Sequence, residues 1–402
     1  MPAALLRDRY SPAEGRVAFV ELFFDLVFVF AVTQLAHALA EHLTPRGALE
    51  ALILLLAVWS VWVYTTWATS WLDTRHTAVR LLFFGLMAGG LFLSTSLPRA
   101  MQDRGLEFGV AIALMQNARN AFTVWAIGGD DAASRRNFTR IQVWLVLSGA
   151  AWIAGAFASP EERLVWWTGA LVLEIGSPWW KYWTPGMGLS TIEDWQVSPQ
   201  HFAERCGLFV IIALGESVLV TGATFAEQVW TGASVAAFAT AFAGSVAIWW
   251  VYFATTADAA TEEFEHMQHT GELARAAYTY AHIPIVAGII LSAVGDEVLL
   301  AHPTGHTDPA HAAAVLGGPA LFLVGSMLFN RMMCGAYPRS HLSGLVLIAA
   351  AALLSPWATP LALGIATVAV LAGVGAWETR YGMALREARP HATSPHLSDA
   401  KA

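Results

Sequence analysis

The chain is poor in charged residues. Asp, Glu, Lys and Arg make up 13% of its 402 residues, whereas 56% are hydrophobic. A soluble domain carries roughly 25% charged residues, so the composition excludes an ordinary soluble protein and favours a membrane protein. The formal net charge is −8, and the basic surface that nucleic-acid binding requires is therefore missing as well.

Motifs of common enzyme classes are also missing. The sequence has no phosphate-binding glycine loop with a lysine, no zinc-type cysteine spacing and no serine in a G-x-S-x-G elbow. His302 and His306 form one H-x-x-x-H, joined by His311, but a single pair is a weak metal signal and an ordinary polar loop is the better interpretation. We expect no catalytic residue, no metal and no cofactor.

Cysteine is scarce, with Cys206 and Cys334 as the two copies. Both fall at span ends that the predicted topology places in the cytoplasm, so we expect no structural disulfide. The N-terminus lacks a short apolar segment followed by a small-residue cleavage site. We therefore expect no cleaved signal peptide, and the first span to act as its own targeting signal.

Long apolar segments are abundant. A membrane-spanning helix needs about 20 predominantly apolar residues, and twelve segments fit this description. They lie near residues 17–40, 47–71, 78–98, 105–127, 138–158, 162–183, 202–225, 231–257, 273–295, 312–334, 341–357 and 360–380. Lys and Arg concentrate at the two termini and in the loops after even-numbered spans, so the positive-inside rule places both termini in the cytoplasm.

The two halves of the chain resemble each other weakly. W-V-Y occurs near the end of span 2 and again in span 8, and spans 1 and 7 both open with an acid, Glu21 and Glu204, before a Phe-rich run. Six spans per half would make this a parallel repeat, as in several transporters. The alternative is that Trp and Tyr recur at the interfaces of any multispan protein.

The predicted fold is therefore all-α: a polytopic integral membrane protein with about twelve transmembrane helices in two parallel six-helix repeats. The predicted organisation is a cytoplasmic N-terminal segment at 1–16, repeats at 17–183 and 202–380, a cytoplasmic linker at 184–201 and a disordered cytoplasmic tail at 381–402.

Two acids interrupt the first span. Glu21 and Asp25 lie one helical turn apart and share a face. A carboxylate inside a membrane is costly unless it is paired, protonated or wet, so such residues indicate a functional site. At 1.5 Å per residue, Asp25 and Arg119 both lie about 12 Å from the cytoplasmic end of their spans. We predict that they meet.

Other polar residues fall near this depth. Glu174 and His282 come out at about 13 Å and Glu216 at about 18 Å, and Arg205 shares a stripe of span 7 with Glu216. One interpretation is a shared cavity that binds cations or relays protons, with Arg119 as counter-ion. The alternative is structural pairing, as Asp25–Arg119 and Glu204–Arg331.

The number of charged residues of each sign, and one proline, help to choose between these interpretations. Deep acids outnumber deep arginines, which favours bound cations, protons or water over pairing alone. For His282, beside Pro284, a hydrogen bond to a freed backbone carbonyl is favoured over proton shuttling.

Several segments resemble one family, the bacterial low temperature requirement A proteins. These are VELFFDLVFVFAV in span 1, HFAERCGLFVIIALGESVL in span 7, WWVYF at 249–253 and YAHIPIVAGIILSAVGDE at 280–297. The resemblance covers roughly residues 15–380 and carries over Glu21, Asp25, Glu204, Arg205, Gly215, Glu216 and His282. Cys206 departs from the His or Tyr expected there. The resemblance implies a bacterial inner-membrane protein linked to growth in the cold, and supplies no chemical role.

A shorter segment, FFDLVFVFAVTQL at 23–35, is similar to the F-S-D segment that opens each six-span repeat of certain lysosomal and bacterial potassium channels. We therefore expect a transporter or ion-conducting protein in which Asp25, Glu21, Glu216, Glu174 and His282 bind or relay a cation or proton. The expected partners are the lipid bilayer and an unidentified small ion or solute, with a possible homodimer. The alternatives are a membrane-embedded enzyme or lipid-adapting factor, and a structural or regulatory protein.

Overall fold

The computed structural model describes residues 5–7, 17–129, 131–191, 199–253 and 274–388. Regular structure in these ranges is helical, apart from two isolated β-bridges. The α-helices are α1 Phe19–Glu41, α2 Pro45–Thr69, α3 Thr77–Ser96, α4 Gly105–Ile127, α5 Ala132–Phe157, α6 Pro160–Gly176, α7 Pro199–Ala226, α8 Gly232–Val251, α9 His282–Ala301, α10 Pro309–Cys334, α11 Arg339–Leu354 and α12 Pro360–Ala388. A π-helical segment, Ala274–Ala281, precedes α9.

Ten of these helices are long and apolar enough to cross a membrane. The other two are α4 and α6. Helix α6 has 17 residues, which at 1.5 Å each gives about 26 Å, short of a bilayer core of about 30 Å. Helix α4 is long enough, but Gln116, Asn117, Arg119 and Asn120 interrupt its apolar sequence. The prediction of an all-α, multi-pass membrane protein is confirmed at this level.

The helix starts follow from local capping chemistry. Thr44 accepts a hydrogen bond from the Gly47 N–H at 3.0 Å, just before Pro45. Asp308 does the same for the Ala310 N–H at 2.9 Å, before Pro309. A side-chain acceptor followed by proline satisfies the first orphan N–H groups and presets the helical backbone, so short loops suffice between the spans.

Large apolar side chains cover the outside of the bundle. Examples are Phe19, Leu81, Phe92, Leu114, Phe157 and Val165. Such a surface is far more apolar than a soluble protein tolerates, and it is the surface expected where lipid replaces water.

Helix contacts recur between the two halves. In the first half, α1 packs on α2 and α3, and α3–α4, α4–α5, α5–α6 and α2–α6 also pack. In the second half, α7 packs on α8 and α9, and α9–α10, α10–α11, α11–α12 and α8–α12 pack. The halves meet where α1 lies against α7 and α9.

The second half also holds a close helix crossing, between α9 and α10. A Cβ on Gly288 would clash with the backbone of Phe322, and one on Gly318 would clash with the backbone of Ser292. Glycine at both positions lets the two backbones touch, as small residues do in membrane helix pairs.

Candidate functional site

The two acids of α1 are held by α7. The Arg205 Nη2 donates to Asp25 Oδ1 at 2.5 Å, and the Arg205 Nη1 lies 3.3 Å from Glu21 Oε1. His201 Nε2 lies 2.9 Å from the same Glu21 oxygen, and Trp62 Nε1 of α2 donates to Asp25 Oδ1 at 2.7 Å. All five side chains are buried. We call Glu21, Asp25, His201 and Arg205 the α1–α7 network.

This network is balanced in charge. Arg7 adds a second cation, 3.3 Å from Glu21 Oε2, and the same oxygen accepts from the Ala18 N–H at 2.8 Å. The Arg205 guanidinium also lies 5.6 Å from the centre of the Trp62 ring, a cation–π contact. Two arginines thus face two carboxylates, as a low-dielectric interior requires.

The predicted Asp25–Arg119 pair is wrong. Arg119 Nη1 donates instead to Thr65 Oγ1 at 3.3 Å and to the Val61 carbonyl at 3.4 Å. Equal depth in the membrane does not determine which helix a side chain faces. Helix α4 packs mainly on α2, α3 and α5, while Asp25 faces α7. The counter-ion of Asp25 is Arg205.

The predicted Glu204–Arg331 pair also does not form within the described chain. Glu204 is exposed and accepts from the Val17 N–H at 3.2 Å. Arg331 Nη1 donates to the Gly335 carbonyl at 2.9 Å, at the end of α10. Each residue thus hydrogen-bonds to a backbone group near the end of a helix, and the two do not contact each other.

Glu174 lies in a separate, closed site inside the first half. Its oxygens accept from Ser60 at 2.9 Å, Gln116 at 3.0 Å, Ser148 at 3.0 Å and Trp152 at 2.9 Å. Four donors from α2, α4 and α5 converge on this one side chain of α6, so Glu174 ties the first half together rather than sharing a cavity with Asp25.

His282 bonds to a backbone carbonyl, but to that of Ala277 and not to the Tyr280 carbonyl that Pro284 leaves without its helical N–H. Its Nδ1 lies 3.0 Å from the Ala277 carbonyl, in the π-helical segment, and its Nε2 lies 2.8 Å from the Tyr252 hydroxyl. The ring is fully buried. Both ring nitrogens are therefore engaged within the second half.

Glu216 lies at the α1–α7 interface, beyond the α1–α7 network. Its carboxylate is buried and hydrogen-bonds through Oε2 to the Thr33 hydroxyl, whereas Oε1 has no partner among the described residues. Asp25 of α1 contacts Arg205 of α7. Thr33, later in α1, contacts Glu216, which is also later in α7. The two helices therefore run in the same direction.

The structure adds one acid that the sequence reasoning missed, Asp296. The predicted span 9 ended at residue 295, but α9 continues to Ala301, so Asp296 lies inside the helix. Ser217 donates to its Oδ2 at 2.7 Å and lies 3.0 Å from Ser245. The signal available in the sequence was the apolar V-L-L-A that follows Asp296 and Glu297.

A cavity surrounds Asp296 in the middle of the second half. Its volume is about 40 Å³, which is room for roughly three water molecules. Its polar lining comes from α7, α8, α9 and α12: Ser217, Thr240, Ser245, Ser292, Asp296 and Thr367. It can hold a few water molecules or one small cation.

Metal-ligating residues do not cluster elsewhere in the described chain. Within these ranges no group of three or more His, Cys, Asp or Glu is placed to hold a metal ion. His302 stacks on His311, with ring centroids 5.6 Å apart, and His311 pairs with Asp308 at 2.9 Å. The histidines of the acidic segment 262–269 lie outside the described residues.

Comparison with known proteins agrees with the sequence resemblance. The family model described as "Bacterial low temperature requirement A protein (LtrA)" matches residues 16–376. A protein of Rhizobium meliloti (strain 1021), described as "Uncharacterized protein RA0937", is 39% identical over 365 residues, which are 91% of this chain and 89% of that one. The match spans the α1–α7 network, Glu216 and Asp296, and the chain belongs to the bacterial low temperature requirement A family.

Proposed function

We propose that the protein is a membrane transporter or ion-conducting protein that binds a monovalent cation or a proton at Glu216 and Asp296. The observation that carries this proposal is the cavity around Asp296. It places a carboxylate inside a membrane-spanning bundle, among hydroxyl groups, with no basic side chain paired to it in the described residues.

The cost of a bare carboxylate supports a bound positive charge. A carboxylate at membrane depth costs several kcal/mol unless something neutralises it. Arginines neutralise Glu21 and Asp25. Neither Glu216 nor Asp296 forms an ion pair within the part of the chain described. Each therefore needs a proton or a cation.

Three hydroxyl groups of the cavity offer acceptors rather than donors. Thr240, Ser292 and Thr367 each donate their hydrogen at 2.8 Å to a carbonyl of their own helix, four residues back. Their oxygen lone pairs are left for another group. The Val315 carbonyl is a further acceptor, because Pro319 has no N–H to donate to it, and both residues line the cavity.

These oxygen ligands fit a hard monovalent ion. Hydroxyl, carbonyl and carboxylate oxygens are the ligands that alkali and other hard cations prefer. One carboxylate neutralises one positive charge, so a divalent ion would leave an excess charge in a low-dielectric site. A proton on Asp296 with water in the cavity satisfies the same groups.

Glu216 fits a proton-binding role at the interface of the halves. The Thr33 oxygen lies 3.1 Å from the Val29 carbonyl as well as in hydrogen-bond contact with Glu216. A hydroxyl carries one hydrogen. If that hydrogen goes to Val29, Glu216 must be protonated and donate to Thr33. A change of the α1–α7 contact would then change the protonation of Glu216.

The parallel six-helix repeat belongs to this proposal. The recurrence of helix contacts between the halves and the common direction of α1 and α7 support two units related by an axis along the membrane normal. Both termini would lie in the cytoplasm of the inner membrane, as the distribution of Lys and Arg favours. In the channel form of the proposal, α1 lines an open path and the protein forms a homodimer.

The α1–α7 network supports a structural role for Asp25 and Glu21. They join α1 to α7 through buried ion pairs, so we now assign them to the coupling of the halves. The closed hydrogen bonding of Glu174 and His282 supports a structural role for these two residues as well.

The test is ion flux into liposomes that contain the purified protein. Wild type is expected to pass protons or one class of alkali cation, and Asp296→Asn and Glu216→Gln to lose most of that flux. Asp308→Asn is the matched control, because Asp308 is half-exposed outside the spans and asparagine also caps helices. Silence of the wild type across a broad ion and pH panel would overturn the proposal.

A further inference from the structure

Arg119 is a buried cation that forms no direct ion pair in the described chain, and the carboxylate of Glu174 is the acid whose charge acts on it. Its side chain is 3% exposed. Its hydrogen bonds are the two long ones from Nη1 to Thr65 and Val61, and the guanidinium lies 5.8 Å from the centre of the Tyr64 ring. A buried charge normally pairs with an opposite charge, because the cost of desolvation otherwise exceeds what weak contacts return.

The Arg119 side chain lines a second cavity. The walls are mainly aromatic and include Tyr64, Trp67, Trp71, Phe138 and Tyr182. The volume of the cavity is about 40 Å³, which is room for roughly three water molecules. Asn120, beside Arg119, already donates to the Phe138 carbonyl at 3.0 Å and to Gln142 at 2.9 Å. The guanidinium therefore supplies the positive charge among the described residues of the lining.

We propose that this cavity binds a small organic carboxylate, which pairs with Arg119 and places its apolar part against the aromatic walls. A guanidinium donates two parallel hydrogen bonds to a carboxylate, and the aromatic rings give an apolar body large contact surfaces. Among the described residues of the lining Arg119 is the charged one, so the cavity offers one positive charge to one carboxylate.

The position of the cavity suits a ligand that enters from one membrane face. Trp67 and Trp71 lie at the end of α2, and Pro178 and Tyr182 follow the end of α6. Thr279, from the π-helical segment of the second half, closes the lining and accepts from Trp67 Nε1 at 3.1 Å. Both halves therefore contact the site. This binding does not rest on the cation role of Asp296, which lies in a different cavity.

The experiment is calorimetric titration of the purified protein in lipid nanodiscs with formate, acetate, propionate and benzoate, each beside its neutral amide. At least one carboxylate is expected to bind at least ten times more tightly than its amide. Arg119→Lys should retain part of this preference and Arg119→Gln should abolish it. Arg99→Gln, which changes an exposed arginine paired with Asp103, should bind as the wild type does.

A stability measurement guards against misfolding of the variant. If Arg119 is an uncompensated charge, Arg119→Gln without ligand should melt at the wild-type temperature or above, and ligand should raise the melting temperature of the wild type alone. Equal binding of acid and amide, unchanged carboxylate binding by Arg119→Gln, or absence of binding across the series would overturn the proposal. So would binding of chloride or of phosphatidylglycerol in place of the carboxylates.

Discussion

At the scale of single residues, pairing separates the acids inside the spans into two kinds. Asp25, Glu21 and Glu174 are surrounded by cations or several donors, whereas Glu216 and Asp296 have one hydroxyl each. Because a membrane interior penalises any uncompensated charge, we assign the first kind to holding helices together and propose that the second kind takes up a positive charge.

The α1–α7 network predicts a large effect for Arg205. Replacement of Arg205 by Met leaves Glu21 and Asp25 short of a buried counter-ion, and breaking a buried pair in this way costs about 3–5 kcal/mol. We expect a strongly lowered melting temperature in detergent. The triple variant Glu21→Gln, Asp25→Asn, Arg205→Met should recover much of the loss, since it removes both signs of charge. A triple variant no more stable than Arg205→Met would contradict this.

Sequence reasoning identified these residues better than their partners. Glu21, Asp25, Arg205 and Glu216 stand out in any sequence of this kind, because charge in an apolar helix is rare. Their partners depend on the direction in which each helix face points, and a depth estimate carries no such information. The Asp25–Arg119 prediction failed for this reason.

At the scale of helices, apolar length located the twelve α-helices of the described residues, with ends that differ by up to nine residues, as at the start of α9. The error that mattered most was in span 9, because its predicted end at residue 295 left Asp296 outside the span. The π-helical segment before α9 shifted the helix toward the C-terminus. The apolar V-L-L-A after Asp296 and Glu297 was the sign that the helix continues to Ala301, and a span ended at the first acid leaves it out.

The α9–α10 crossing predicts a contrast between two glycines. Gly288→Ala would place a Cβ against the backbone of Phe322, whereas Gly373→Ala, in α12, would meet nothing within 4 Å. Overpacking of this kind costs about 1–3 kcal/mol, and an unobstructed Gly→Ala change in a helix stabilises by about 0.5–1 kcal/mol. Thermal unfolding in detergent should therefore shift in opposite directions. Equal shifts would show that the two helices can separate freely.

At the scale of the whole molecule, the two halves meet where α1 lies against α7, with the buried ion pairs and Glu216 in the same interface. Under the proposed function, a rocking motion of the halves would act on both. That motion would couple the protonation of Glu216 to the arrangement of the halves, as expected of a transporter built from parallel repeats.

The native cysteines test the proposed orientation. Cys334 is exposed at the end of α10, and Cys206 is buried in α7. A membrane-impermeant maleimide should label the protein only after the inner membrane is opened, and Cys334→Ser should remove that label. Labelling of intact spheroplasts at Cys334 would place the termini on the opposite side. Cys206→Ser is the control and should leave the labelling unchanged.

The central claim is that paired acids stabilise the protein while unpaired acids carry its function. The most direct measurement is a side-by-side comparison of Asp25→Asn and Asp296→Asn for melting temperature and for ion flux per folded molecule in liposomes. We predict a lower melting temperature with near-normal flux for Asp25→Asn, and a wild-type or higher melting temperature with flux lost for Asp296→Asn. Normal flux through Asp296→Asn, with flux lost in Asp25→Asn at unchanged stability, would contradict the account.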